Sequence, residues 1–270
     1  MTNTSDFWKT WAPHLSYLED NHLDLRTINA LVKKISAPVI VVGGGQGLLV
    51  NELQMHGLHV DGVDSCPEMV KFAEQRRGVK LVQTDGSSLP FADSSYDTAI
   101  IATGVVDFLD DENQIRQIIK ETARVTKKTG RLLISFYNVH PVTERFLRRI
   151  GVITENGIMR RRRLFELNRL KPLDFISVVR KDGNLGLFSA IAELIKLQLF
   201  LPKQERILSK NLSMILKSAD NADELIESVS EFIPHHNRGS IHALFKKLDI
   251  DINEFMDFDS CFVVDVGIKP

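Results

Sequence analysis

The sequence predicts an α/β fold with a mostly parallel sheet, a long helical insertion and a C-terminal antiparallel hairpin. Short β-branched segments alternate with helical segments between residues 36 and 137. The first of them, Val39–Val42, ends in a glycine-rich turn, and two adjacent strand-like segments lie near residue 260. Alternating strands and helices indicate parallel strands, with a ligand site at the C-terminal strand ends.

The segment before the first strand, residues 7 to 34, predicts one or two helices. Its apolar residues approximate a helical stripe, formed by Leu23, Leu25, Ile28, Leu31 and Val32. We therefore expect the N-terminal helices, residues 1 to 35, to pack on the sheet or to cover a ligand.

The turn after the first strand carries Gly43, Gly44, Gly45 and Gly47. Glycine permits a left-handed backbone and the close approach of a ligand. The helix expected from residue 48 to 56 also offers unpaired N–H groups to a carboxylate or phosphate. Dinucleotide sites have the pattern Gly-x-Gly-x-x-Gly, which this loop lacks. The third glycine of that pattern is replaced by Leu48 if the pattern starts at Gly43 and by Val50 if it starts at Gly45. The pattern is Gly-x-Gly-x-Gly.

The next segments continue the alternation. The expected order is a strand at 59–64, a helix from residue 67, a strand at 79–83, a loop at 84–91, a strand at 97–103, a loop at 104–111, a helix ending near 125, a turn at 128–130 and a strand at 131–137. Ser65 is the predicted N-cap of the helix that begins at Pro67.

A basic insertion, residues 138 to 236, interrupts the pattern and is expected to be helical. Its most apolar part, residues 185 to 201, contains Glu193 and Lys196. A spanning helix needs roughly 20 apolar residues, so we predict no transmembrane segment. The pattern then resumes with a helix at 240–248 and strands at 255–258 and 261–267.

Composition narrows the class of protein. The chain has 270 residues, 43% of them hydrophobic, enough for a large core. Its two cysteines, Cys66 and Cys261, provide neither a disulfide framework nor a cysteine-rich zinc site. The polar N-terminus has no signal-peptide pattern. A cytoplasmic location is therefore expected. The net charge of -1 argues against a protein that coats nucleic acid, although residues 138 to 210 alone carry +8.

The glycine loop and the strands after it resemble the class I S-adenosylmethionine (SAM)-dependent methyltransferases of the small-molecule type. The resemblance covers residues 36 to 137 well and the C-terminal tail weakly. It implies a Rossmann-like sheet and SAM as the cofactor. It also implies a SAM-binding core at 36–137, a lid and acceptor wall at 138–236, and a last helix and hairpin at 237–270.

The resemblance assigns roles to two acids. Asp64 ends the second strand, where the family's acid accepts hydrogen bonds from the ribose hydroxyls; the alternative is an acid that caps the next helix. Asp85 lies in Thr-Asp-Gly-Ser-Ser-Leu-Pro-Phe, which resembles the family's Asp-Ala-x-x-Leu-Pro-Phe. There the acid contacts the adenine amino group and the next N–H, that of Gly86, contacts a ring nitrogen; the alternative is an ordinary Asx turn. The implied cofactor residues are Gly43, Gly44, Gly45, Gly47, Asp64, Ser65, Asp85, Gly86, Thr103 and Gly104.

Val41 departs from the family pattern, which places an acid two residues before the first glycine of the motif. In the family this acid organises the loop and the methionine amino group. Its loss leaves the fold intact but weakens the case for tight SAM binding, so a catalytically silent SAM- or nucleoside-binding regulator is one alternative.

Catalytic residues are not defined by the sequence, because methyl transfer depends mainly on positioning and needs a base only when the acceptor holds a proton. The candidates are Tyr137, His140, His235, His236 and Asp107, each of which also fits a surface, packing or helix-capping role. The histidines lack the spacing and the fourth ligand of a metal site, so no metal is expected.

The acceptor is expected to be a small molecule. The fourth strand ends in Ala-Thr-Gly-Val and lacks the Asn/Asp-Pro-Pro-aromatic signature of methyltransferases that act on nucleic-acid amino groups. Cytosine C5 methyltransferases have a nucleophilic Pro-Cys pair after the fourth strand, whereas here Cys66 precedes Pro67 and the pair follows the second strand. The run of four arginines from Arg160 to Arg163 predicts a solvated face. The alternative is that it recruits an acidic acceptor, RNA or an anionic membrane surface. The oligomeric state is not encoded in any recognisable pattern.

Overall fold

The computed structural model describes residues 4–14, 25–109, 111–200, 203–229, 232–234, 236–258 and 261–267. These residues divide into two compact units. The sheet unit contains the described residues of Trp11–Asn138 and His236–Pro270, and the insertion unit contains those of Met1–Thr10 and Val139–His235.

The sheet unit is built on seven described strands in the order β3-β2-β1-β4-β5-β9-β8. They are β1 (Val39–Val42), β2 (Val60–Asp64), β3 (Val82–Gln83), β4 (Tyr96–Ile101), β5 (Thr126–Tyr137), β8 (Ile252–Asp257) and β9 (Cys261–Val266). The first five are parallel, whereas β9 runs antiparallel to β5 and β8 antiparallel to β9. The predicted parallel α/β sheet with a C-terminal antiparallel hairpin is confirmed.

The β1 strand is apolar throughout because both faces of the sheet are covered. Val39 and Val41 pack in one buried cluster, and Ile40 and Val42 pack in another. Successive side chains of a strand point to opposite faces, so a run without polar residues indicates a strand buried on both sides.

The helices of the sheet unit connect these strands. They are α2 (Leu25–Val32), α3 (Leu48–Met55), α4 (Pro67–Arg77), α5 (Glu112–Val125) and α12 (Arg238–Leu248). Most of α1 (Thr4–Trp11) is assigned to the insertion unit, whose first segment ends at Thr10. Ile28 and Leu31 of the predicted N-terminal stripe are buried, whereas Leu23 lies outside the described residues.

Two local predictions are wrong. The N-cap of α4 is Cys66, not Ser65, and the N–H of Cys66 donates to Oδ1 of Asp64 at 2.9 Å. The β5 strand begins at Thr126, ahead of the expected turn, because Thr126 already pairs with Tyr96; the next pair is Thr98 with Arg131, and the register irregularity between the two pairs contains residues 128–130.

The insertion unit has its own apolar core. Its elements are α6 (Pro141–Arg149), β6 (Ile158–Arg160), α7 (Arg161–Arg169), α8 (Pro172–Asp182), α9 (Leu187–Phe200), α10 (Lys203–Ser218), α11 (Ala222–Glu227) and β7 (Phe232–Pro234). The helices agree with the helical expectation, but the short antiparallel β6 and β7 pair was not expected. Among the helices that the structure describes, none is both long and apolar enough to cross a membrane.

Candidate cofactor site

The glycine turn is a tight loop held between the ends of β1 and β2. The backbone N–H groups of Gly43 and Gly44 both donate to the carbonyl of Val63, at 2.9 and 2.8 Å. Gly43, Gly45 and Gly47 have φ angles of 79°, 55° and 81°, in the left-handed region that glycine tolerates best. The loop therefore requires glycine at these three positions whatever it binds.

Protein packing also restricts two of these glycines. A Cβ atom at Gly43 would lie 2.1 Å from Cγ2 of Val105, and one at Gly47 would lie 3.1 Å from Cβ of Ala73. A side chain at Gly43 or Gly47 would therefore press on neighbouring side chains of the protein, whether or not a ligand is bound.

Asp64 joins the end of β2 to this loop. Its Oδ2 accepts from the N–H of Gly45 at 2.8 Å, and its Oδ1 accepts from the N–H of Cys66 at 2.9 Å. Burial raises the pKa of the Asp64 carboxyl, and the hydrogen bonds from the backbone oppose that shift. A carboxylate has about four acceptor sites, so ribose contacts would add to the loop contacts. The ribose role itself stays a prediction.

Asp85 lies just beyond the end of β3, which is the strand adjacent to β2. Its Oδ1 accepts from the N–H and hydroxyl of Ser87, at 2.9 and 2.7 Å, which is the geometry of an Asx turn. The carboxylate is exposed. The N–H of Thr84 donates to the carbonyl of Asp64 at 3.0 Å, so both acids stand at the same end of neighbouring strands. The adenine role of Asp85 and Gly86 also remains a prediction.

The loop after β4 is organised by a buried carboxylate. Asp107 accepts from the N–H of Gly104 at 2.9 Å and from the N–H of Tyr137 at 3.1 Å, which joins the ends of β4 and β5. Thr103 bonds to Ser135 through their hydroxyls. Asp111, rather than Asp107, is the N-cap of α5, so the capping alternative for Asp107 is wrong.

The other candidate bases are held in different ways. Tyr137 packs edge to face with Phe108, with ring centroids 6.1 Å apart, and buried His236 packs similarly on Phe136 at 5.1 Å. His140 belongs to the insertion unit, where its Nδ1 accepts from the N–H of Val142 at the start of α6. His235 lies outside the described residues. These contacts assign no catalytic role to any of the four residues. Within the described ranges, no three His, Cys, Asp or Glu side chains form a metal site.

Gln46 is a site residue that sequence reasoning missed. Its side chain is fully buried; Nε2 donates to the carbonyl of Ala12 at 2.5 Å, and Oε1 accepts from Nη1 of Arg76 at 2.6 Å. Arg77 donates to the Gln46 carbonyl at 2.9 Å. Gln46 thus ties the glycine loop to α4, and the only signal in the sequence was an amide between two glycines.

The environment of Val41 accounts for the missing acid. Val41 is fully buried and packs in the cluster that contains Val50 and Leu81. A carboxylate in that cluster would lose its hydration without a charged partner. In this chain, the glycine loop is instead fixed by the carboxylate of Asp64 and the amide of Gln46.

The prediction that the arginine run forms a solvated face is wrong for Arg161, which is buried, whereas Arg162 and Arg163 are partly exposed. The guanidinium of Arg161 is buried 4.0 Å above the ring of Phe7 and 5.6 Å from that of Phe165. Arg162 donates to the carbonyl of Glu227 at 3.1 Å, and only Arg160 is exposed. Packing partners distant in sequence explain the error.

Comparison with known proteins shows a similarity to methyltransferases. Residues 40–134 match a family model described as a methyltransferase domain. A methyltransferase structure from Methanosarcina mazei, described as SAM-dependent, shares the fold with a TM-score of 0.50 and 16% identity, covering 87% of this chain and 95% of that one. Residues 40–134 are thus similar to a methyltransferase domain, and the described fold is shared with a SAM-dependent methyltransferase.

Two curated relatives differ in their named acceptors. A demethylmenaquinone methyltransferase from Corynebacterium kroppenstedtii is 38% identical over 108 residues, which is 40% of this chain and 45% of that protein. A probable tRNA methyltransferase 9B from Mus musculus is 33% identical over 124 residues, which is 46% of this chain and 26% of that protein. The chain spans less than half the length of either.

Proposed function

We propose that this protein transfers the methyl group of SAM to a small-molecule acceptor, with a quinone as the first candidate. The observation that carries the proposal is the placement of Asp64 and Asp85 at the same end of the adjacent strands β2 and β3, beside the glycine loop. Two carboxylates and a left-handed glycine turn are the groups needed to hold an adenosyl moiety and the methionine part attached to it.

Each part of the cofactor has proposed ligands. Asp64 accepts from the ribose, and Asp85 with the N–H of Gly86 holds the adenine. The glycine loop and the carbonyls of Thr103 and Gly104 hold the methionine part. Gly86 supports this arrangement because it is buried with φ at 78° and packs close to Val42 of β1, which brings its backbone near the centre of the sheet.

The chemistry requires positioning above all. The acceptor atom forms a bond to the methyl carbon as the bond from that carbon to sulfur breaks, and S-adenosylhomocysteine leaves. A proton on the acceptor atom passes to a base or to water. The contribution of this chain is to align the acceptor with the sulfur–carbon bond and to exclude competing water. We propose that residues 138 to 236 form the lid and acceptor wall.

Support for a quinone comes from two demethylmenaquinone methyltransferases, which match over 108 and 139 residues with 38% and 30% identity. The apolar residues of the insertion unit are compatible with an apolar acceptor. The second candidate is an RNA acceptor, which the tRNA methyltransferase relative and the charge of +8 in residues 138 to 210 favour.

Two measurements test the proposal. In titration calorimetry, SAM and S-adenosylhomocysteine should bind in the micromolar range and NAD should not bind; equal or tighter NAD binding would refute the cofactor site. Transfer of a labelled methyl group should then occur to a demethylmenaquinone and not to tRNA. Transfer to tRNA alone would establish the second candidate, and cofactor binding without transfer to either would favour the silent regulator.

A salt series provides the control for RNA. A surface that tracks phosphates loses affinity steeply as salt rises, because bound counterions are released. Under the small-molecule proposal, the parent protein does not bind RNA at physiological salt and the affinity for SAM changes little over the same series.

A further inference from the structure

A cleft in the insertion unit is lined mainly by charged side chains. Its volume is about 650 Å³, within the usual range for small-ligand sites. The residues around it are Ile150, Gly151, Arg160, Arg162, Arg163, Glu166 and Asp182. All of these residues belong to the insertion unit, whereas the residues of the candidate cofactor site belong to the sheet unit.

The two acids of the cleft are committed to one arginine. Nη2 of Arg163 donates to Oδ2 of Asp182 at 2.8 Å, and its Nη1 lies 3.4 Å from Oε2 of Glu166. These two carboxylates exceed the single charge of Arg163 by one. The other two arginines of the cleft are Arg160 and Arg162.

Arg162 and Arg160 have no carboxylate partner among the described residues. Arg162 donates from Nη2 to the carbonyls of Glu227 and Val229, at 3.1 and 3.5 Å, but carbonyls do not neutralise its charge. Its Nε is buried without a hydrogen-bond acceptor in the part of the chain that the structure describes. Arg160 is exposed at the start of α7 and makes no ion pair there.

We propose that this cleft binds a phosphoryl group, with Arg160 and Arg162 as its guanidinium ligands. The three arginines and two acids of the cleft give it a net charge of +1, and the two arginines without a carboxylate partner supply N–H donors for the oxygens of an anion. Arginine is the side chain best suited to this task, because its planar N–H donors bind phosphate oxygens in pairs.

Inorganic pyrophosphate is the probe, titrated calorimetrically into the full chain at low salt without SAM. Saturable binding is expected for the parent protein. Arg160→Gln should weaken it about tenfold, because it removes a charge-assisted contact. Arg145→Gln is the matched control, since Arg145 is exposed on α6 outside the cleft and the substitution changes the net charge equally.

Asp182→Asn provides a change in the opposite direction. It frees Arg163 from its nearest acid, so pyrophosphate should bind more tightly. Thermal unfolding of each variant verifies that the insertion unit is intact. No saturable binding at millimolar pyrophosphate, or equal losses in Arg160→Gln and Arg145→Gln, would overturn the proposal.

A second arm identifies the source of the phosphoryl group. Co-sedimentation with vesicles of phosphatidic acid, compared with vesicles of phosphatidylcholine, tests a lipid headgroup. Binding to the former that Arg160→Gln abolishes assigns the cleft to a membrane lipid. Pyrophosphate binding without vesicle binding assigns it to a soluble phosphorylated compound.

Discussion

The backbone N–H of Gly45 donates to Oδ2 of Asp64 at 2.8 Å, which links the turn after β1 to the end of β2. Asp64 therefore has two proposed tasks, to hold the glycine loop and to accept from the ribose. The two substitutions Asp64→Asn and Asp64→Ala separate these tasks, because the amide keeps one acceptor oxygen for the loop.

Asp64→Ala should weaken SAM binding by about 1.5 to 3 kcal/mol, since charge-assisted hydrogen bonds are lost. Asp64→Asn should weaken it less and leave the unfolding midpoint closer to that of the parent. Calorimetric titration and thermal unfolding of the two variants measure both effects. Unchanged SAM affinity in a folded Asp64→Ala protein would show that this acid only organises the backbone.

Gly43→Ala should destabilise the protein and impair SAM binding. The new Cβ would lie 2.1 Å from Cγ2 of Val105, and the backbone φ of 79° is unfavourable for alanine. We expect a loss of roughly 2 to 4 kcal/mol from overpacking and strain together. Denaturant unfolding gives the value.

The matched control for that substitution is Gly57→Ala, because Gly57 has a φ of 80° and no atom near its Cβ position. It should cost only about 1 kcal/mol, the price of the left-handed conformation. The double variant with Val105→Ala should recover part of the loss at Gly43. Equal losses at Gly43 and Gly57 would mean that the contact with Val105 is unimportant.

Arg161→Gln should destabilise the insertion unit, whereas Arg160→Gln should not. The buried guanidinium of Arg161 stacks between Phe7 and Phe165, and a desolvated contact of this kind contributes about 2 kcal/mol. Exposed Arg160 should change stability by less than about 0.5 kcal/mol. Denaturant unfolding of the single variants tests this, and similar losses in both would argue against the buried stack.

The Cys66 thiol should be unreactive in the native protein at pH 8. Burial, as the main cause, raises its pKa from an ordinary value of 9.0 to about 11. At pH 8 a thiol with that pKa is roughly 0.1% thiolate, the reactive form. Disulfide-exchange reagents should react slowly until the protein is unfolded. Rapid reaction of Cys66 in the native state, identified by mass spectrometry, would contradict this.

The raised pKa of the Cys66 thiol also predicts how the stability of the protein depends on pH. The native thiol keeps its proton at a pH where the unfolded thiol has lost it, so its contribution to stability is complete below pH 9.0 and is lost as the pH rises toward about 11. Cys66→Ser should reduce this loss in alkaline unfolding curves.

The sequence was sufficient for features set by local rules. The buried strand β1, the left-handed glycines and the acid at the end of β2 follow from short-range patterns that only one arrangement satisfies. The confirmed sheet is the product of such patterns repeated along the chain.

Features that depend on distant partners could not be predicted. The burial of Arg161 requires Phe7, and the role of Gln46 requires Ala12 and Arg76, all remote in sequence. The β6 and β7 pair likewise joins segments about seventy residues apart, and each is too short to show a strand period. Nothing in the local patterns of these segments indicates which remote residues they contact.

The position of β9 has a consequence for synthesis. It lies between β5 and β8, although it is the last strand of the described chain, and it pairs with β5 residues more than 120 positions earlier. On the ribosome, β5 therefore presents an open edge, a site for intermolecular pairing, while the whole insertion is made. At about 5 to 20 residues per second this exposure lasts on the order of ten seconds. Nascent chains are thus most prone to aggregate before the final hairpin closes the sheet.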